Sequence, residues 1–125
     1  MSSKNIRPKK VLIVDDSLTI RMYHKHILSS VGIECDEAEN GMEALEKVQK
    51  TPYALCLVDI NMPVLDGYSF VRRFRAGEGH PAPVIMVSTE AEDKDKTLSY
   101  QCGANMHLTK PVKTEVLLAY LKLLT

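Results

Sequence analysis

Short, uninterrupted apolar runs, each closed by a polar residue, constrain this chain more than any other feature. Val11-Leu12-Ile13-Val14 stops at Asp15-Asp16, and Tyr53-Ala54-Leu55-Cys56-Leu57-Val58 stops at Asp59. Val84-Ile85-Met86-Val87 stops at Ser88-Thr89. Runs of this kind suit strands buried on both faces, as in a parallel sheet covered by helices. Between them the apolar spacing becomes helical. Ser17 is a good N-cap for a helix carrying Leu18, Met22, Ile27, Leu28 and Val31, with Gly32 as its stop. Ile33 to Ala38 reads as a short strand, and Asn40-Gly41 as a turn into a helix with Met42, Leu45 and Val48. Pro52 breaks that helix. After Asp59, a loop with Pro63 and Gly67 leads to a helix bearing Phe70, Val71 and Phe74. A polar helix is expected from Ala91 to Cys102, a brief fifth strand from Asn105 to Thr109, and a last helix from Thr114 to Leu124. Five strands alternating with five helices predict one α/β domain with a doubly covered parallel sheet.

Composition narrows the function. The chain is 125 residues long, the size of one domain. Lysine plus arginine total 16 and aspartate plus glutamate total 16, so bulk charge gives no reason to expect binding to nucleic acid or an anionic membrane. No run approaches the ~20 apolar residues of a membrane-spanning helix. Cys35, Cys56 and Cys102 are far apart and odd in number, which fits free thiols in a reducing cytoplasm. Cys56 sits inside an apolar run and reads as packing, while nothing beside Cys35 or Cys102 signals reactivity. Residues 1–9 read as a flexible basic lead-in, leaving 10–125 as the domain.

The chemistry lies where the polar residues fall. In an open parallel sheet the carboxyl ends of the strands line one edge, and ligands bind in the crevice there. Asp15, Asp16, Asp59, Ser88, Thr89 and Lys110 all stand at such ends. Two carboxylates ~5 Å apart at an effective dielectric of ~20 repel by about 3 kcal/mol, and Lys110 offsets only part of that. A divalent cation is the natural remedy, and few carboxylates plus retained waters suit Mg²⁺. A lone Asp at a strand end is usually a cap or turn former, and Asp66 before Gly67 fits that role. Glu34, Asp36, Glu37 and Glu39 read as a solvated acidic patch. His24 and His26, two positions apart on a helix with Arg21 and Lys25, read as a solvated face. Capping does not explain the coincidence of so many polar strand ends.

These residues resemble the receiver domains of two-component response regulators, and among them the single-domain CheY-like regulators. The motifs are Val14-Asp15-Asp16-Ser17, Asp59-Ile60-Asn61-Met62-Pro63-Val64-Leu65-Asp66-Gly67, Val84-Ile85-Met86-Val87-Ser88 and Lys110-Pro111. Each is weak alone; in this order and spacing, from Lys10 to Leu124, they are specific. The resemblance implies a flavodoxin-like sheet of order 2-1-3-4-5, a topology for which CheY is itself a standard example. It implies Asp59 as phosphoacceptor, and Asp15, Asp16, Asp59 and the Asn61 carbonyl as Mg²⁺ ligands. It implies Ser88 as switch hydroxyl with Thr89 beside it, Lys110 as phosphate partner, and Asn61 and Glu90 as residues that tune dephosphorylation. Where the family often has an inward-turning Tyr or Phe, this chain has His107, whose switch role stands against a surface reading. The family also implies a cis Lys110-Pro111 bond.

Expected partners are a histidine kinase or phosphotransfer protein as donor, and a target that reads the face formed by the fourth helix, fifth strand and fifth helix. Apolar residues wrap around much of the last helix. Leu117, Leu121 and Leu124 are assigned to the sheet; Val116, Tyr120 and Leu123 are left for neighbouring helices or a homodimer surface. Because the sequence stops after the fifth helix, a stand-alone signalling receiver is expected. Two rival classes are a Mg-dependent aspartyl-phosphate hydrolase and a pseudo-receiver scaffold. The hydrolases carry first-strand acids two residues apart, whereas Asp15 and Asp16 are adjacent; a pseudo-receiver normally lacks pocket residues that are present here.

Overall fold

The structure, a computed structural model, describes residues 9–77, 81–89 and 93–125. Its elements run β1 (Val11–Val14), α1 (Leu18–Ser29), β2 (Cys35–Ala38), α2 (Gly41–Lys50), β3 (Leu55–Asp59), α3 (Gly67–Ala76), β4 (Val84–Ser88), α4 (Asp93–Cys102), β5 (Met106–Thr109) and α5 (Thr114–Leu124). The five strands form one parallel sheet in the order β2-β1-β3-β4-β5, as the family resemblance implied. Within the described residues, no helix is long and apolar enough to cross a membrane.

Alternation along the strands divides the core into two layers. Leu12, Val14, Cys56, Val58, Val84 and Met86 point toward α2, α3 and α4, where they meet Ala44, Val48, Phe70, Val71, Phe74 and Cys102. Val11, Ile13, Leu55, Leu57, Ile85 and Val87 point the other way, onto Ile27 and Leu28 of α1 and Leu117 and Leu121 of α5. Both faces are therefore apolar, which is why β1, β3 and β4 read as continuous runs rather than alternating ones. Ser17, Asn40 and Asp66 cap α1, α2 and α3 through side-chain oxygens that accept from Ile20, Glu43 and Ser69 N–H groups.

Several expectations need correction. The second strand begins at Cys35 rather than Ile33. Leu18, Met22 and Val31 are exposed, and the buried stripe of α1 is Arg21, His24, Ile27 and Leu28. His24 is therefore not on a solvated face. Among the described residues its buried Nδ1 has no hydrogen-bond partner, and burial pulls its pKa down to about 4. Cys102 is buried with Cys56, and the Cys56 thiol is pushed up to about 12 by burial. The acidic patch is partly structural: Asp36 accepts from the Tyr53 hydroxyl at 2.7 Å, and Glu37 pairs with Arg21 at 2.9 Å. In α5, Leu117 and Leu121 are buried as expected, Val116, Tyr120 and Leu124 are half-buried, and Leu123 is exposed. The Lys110-Pro111 bond is cis. Residues 1–8, most of the expected lead-in, and Ala91, the expected start of the fourth helix, lie outside the described residues.

Candidate functional site at the carboxyl edge of the sheet

Strand register builds the site. Val14 stands beside Val58, so Asp15 follows β1 level with Asp59 at the end of β3. Asp59 is opposite Val87, and Ser88 is opposite Thr109, so Ser88 and Lys110 arrive at the same edge from β4 and β5. The Lys110 N–H donates to the Ser88 carbonyl at 2.7 Å, carrying the ladder one residue past β5.

The acids and the ammonium group meet there. Lys110 Nζ donates to Asp15 Oδ2 at 2.9 Å and to Asp59 Oδ1 at 3.2 Å. Asp15 Oδ1 accepts the Ser17 N–H at 2.9 Å, which fixes the second oxygen of that carboxylate. Asp15 and Asp59 are buried; Asp16 is exposed at the rim. Burial first, and the Asp15 charge second, push the Asp59 pKa up to about 6, against the opposing pull of Lys110. Burial works to lower the Lys110 pKa, but its bonds to Asp15 and Asp59 outweigh it and hold the group above the usual lysine value.

One oxygen from each of Asp15, Asp16 and Asp59 falls in a group no more than 4.8 Å across. Three hard oxygen donors with a single ammonium beside them fit a small divalent cation. Asn61 and Thr89 are exposed in the loops after β3 and β4, so both stand near the rim. Glu90 lies outside the described residues.

Supporting residues set this geometry. Arg21 Nη1 donates to the Asp15 carbonyl at 2.8 Å while its Nε holds Glu37 of β2, so the end of β1 is pinned to α1 and β2. Gly67 approaches Asp59 so closely that a Cβ there would overlap the Asp59 carbonyl oxygen, and a Cβ on Gly41 would lie 2.6 Å from the Leu65 carbonyl oxygen. The loop between β3 and α3 is thereby clasped by two helix starts. Neither Arg21 nor His24 was identified from the sequence. The available signal was their i, i+3 spacing with Leu28 at i+7, which places polar groups on the stripe that faces the sheet.

His107 resolves in favour of the interior. It is buried, with Nε2 3.3 Å from Ser88 Oγ and Nδ1 2.7 Å from Ser99 Oγ of α4. Ser99, fully buried, was also not identified from the sequence.

The chain belongs to the response regulator receiver domain family, whose sequence profile matches residues 11–122. Within that family its fold is CheY-like. The high-resolution structure of the chemotaxis response regulator CheY4 of Vibrio cholerae superimposes with a TM-score of 0.87 at 37% identity, covering 95% of this chain and all of that one. Protein PilG of Pseudomonas aeruginosa is 37% identical over 114 residues, covering 90% of this chain and 84% of PilG. Sensor protein EvgS of Escherichia coli K12 is 34% identical over 111 residues, which are 89% of this chain. The chain spans only 9% of the length of EvgS. Receiver domains work in phosphorylation-based signalling and bind Mg²⁺ at an acidic pocket.

Proposed function

We propose that this receiver accepts a phosphoryl group on Asp59 from a phosphohistidine of a partner kinase or phosphotransfer protein, and signals by phosphorylation-dependent protein binding of the chemotaxis-motor or phosphorelay type. The observation that carries the reading is the buried Asp59 carboxylate meeting Asp15, Asp16 and Lys110 in a receiver-family chain. Lys110 engages Oδ1, which leaves Oδ2 to attack phosphorus as the bond to the donor imidazole nitrogen breaks. Asp15, Asp16, Asp59 and the Asn61 carbonyl would hold Mg²⁺, which supplies neutralisation of the negative charge gathered on the transferring group. Lys110 then pairs with a phosphoryl oxygen, and the Ser88 hydroxyl donates to another, with Thr89 adjacent and His107 behind. Asn61 and Glu90 tune the attack of water that resets the site.

In this reading the protein is a cytoplasmic stoichiometric acceptor rather than a hydrolase of outside phosphate esters. It works as a separate unit, which is supported by its match to most of PilG and all of CheY4. The output face is that of α4, β5 and α5, where Tyr100 and Leu123 are exposed; Leu123 is also the residue on which a homodimer through α5 would depend.

The test is transfer from a radiolabelled phosphohistidine protein. The expected result is a hydroxylamine-sensitive label, one per chain, that needs Mg²⁺ and is absent from Asp59→Asn. Equal labelling of Asp59→Asn, or catalytic turnover of a phosphate monoester, would overturn the reading.

A further inference from the structure

We propose that Tyr23 of α1 is a positioning residue for phosphoryl transfer: it holds the segment that carries Lys110 while the carboxylates around that lysine change partners. The proposal rests on the phosphoacceptor reading above. The Tyr23 hydroxyl donates to the Val112 carbonyl at 2.9 Å, across 89 positions of sequence. Val112 follows Lys110-Pro111 in the connection between β5 and α5, and its side chain is buried in the layer of the core shared by α1 and α5. The Tyr23 ring lies 5.5 Å, between centroids, from the buried His24 imidazole, on which the charges of both Asp15 and Lys110 bear. This turn of α1 therefore stands beside the lysine, and the same helix begins just after Asp15 and Asp16.

In the free protein Lys110 is held at both ends. Its Nζ is bonded to Asp15 and Asp59, and its backbone N–H to the Ser88 carbonyl. The proposed transfer undoes the first of these: Asp59 becomes an acyl phosphate, Asp15 turns to the metal, and the ammonium group meets a phosphoryl oxygen instead. From that point the side chain is aimed by its backbone, because a flexible lysine stem has little aim of its own. The backbone is fixed on one side by the Ser88 carbonyl and on the other by Val112, through its buried side chain and through Tyr23. A misplacement on the order of 1 Å at a reacting group can cost about 10²-fold in rate. The Tyr23 bond thus joins the helix that starts at the metal-ligating acids to the segment that bears the ammonium group, without touching the phosphoryl group or the metal. Tyr23 is 42% exposed, so Tyr23→Phe removes the hydroxyl and leaves the core packing in place.

The test compares wild type and Tyr23→Phe treated with a small acyl phosphate at saturating Mg²⁺, with phosphoryl content followed by mass. Tyr23→Phe should phosphorylate about fivefold more slowly, the factor that one net hydrogen bond is worth, with unchanged Mg²⁺ affinity by calorimetric titration. NMR of lysine-¹³C-labelled protein at matched phosphoryl content supplies the signature of position. The two ε hydrogens of Lys110, assigned by their loss in Lys110→Ala, should give separate signals in phosphorylated wild type and one averaged signal in phosphorylated Tyr23→Phe. Equal rates overturn the proposal, as does a slower rate explained by weaker Mg²⁺ binding or a Lys110 signal that the substitution leaves unchanged. Absence of phosphate on the wild-type protein counts instead against the phosphoacceptor reading.

Discussion

The Lys110 ammonium group lies 2.9 Å from Asp15 Oδ2, joining residues 95 positions apart, and the same nitrogen reaches Asp59 at 3.2 Å. One cation thus stands against two buried acids. Lys110→Ala leaves both without it, and breaking such a pair on one side costs more than the pair contributes. The lysine side chain keeps some solvent contact, so the expected loss is about 2 kcal/mol in chelator, with part of it restored by Mg²⁺. Urea melts with and without Mg²⁺ measure both quantities; a melt unchanged in chelator would show that the acids do not need the lysine.

Asp59 carries a native-state penalty with a definite pH signature. Its pKa is raised from 3.8 to about 6, so the native state holds the proton more tightly than the unfolded chain. The stability tied to this group is complete below about pH 4 and is lost as pH rises through about 6. Asp59→Asn should remove that fall and stabilise the metal-free protein by about 2 kcal/mol at pH 7.5, while weakening its response to Mg²⁺. Asp16→Asn also relieves repulsion, but by less, because Asp16 is exposed. Melts of the three proteins in chelator across pH 4 to 7.5 test the order; a destabilised Asp59→Asn contradicts it.

His24 has the opposite sign. Burial pulls its pKa from 6.5 to about 4, so in the acid range the unfolded chain binds the proton that the native state refuses. Stability is unaffected above about pH 6.5 and falls between 6.5 and 4, by up to about 3 kcal/mol. His24→Leu should flatten that limb of the stability curve and remove a buried nitrogen that has no partner among the described residues. A variant with the same acid limb as wild type would assign the loss to another group.

Val64 sits in the loop after β3 with φ of +70°, a region that costs a β-branched residue dearly. It is 77% exposed, so little packing opposes a change. Val64→Asn should raise stability by about 1 kcal/mol, read from the urea midpoint at unchanged slope. No gain would mean that the side chain has compensating contacts.

The legible parts of this molecule are those set by strand ends. Asp15, Asp59, Ser88 and Lys110 could be placed together because a parallel sheet aligns its carboxyl edge whatever fills its faces. The first helix was less legible. Leu18 and Met22 are exposed because the stripe against the sheet is taken by Arg21 and His24, and Arg21 is buried there with one partner just past β1 and another on β2. Those partners, the Asp15 carbonyl and Glu37, become neighbours only once β1 and β2 pair, so local spacing does not reveal them. Ser99 was hidden for the same reason. On a polar helix it looks like any surface serine until β5 brings His107 beneath it.

The proposed function turns on Asp59 as the residue that receives the phosphoryl group. Reductive trapping of the acyl phosphate formed with a small acyl phosphate and Mg²⁺, followed by peptide mass mapping, tests it directly. One modified position, Asp59, is expected, with no modification in chelator. Modification at Asp15, at Asp16 or at a histidine, or equal yield without the metal, would contradict it.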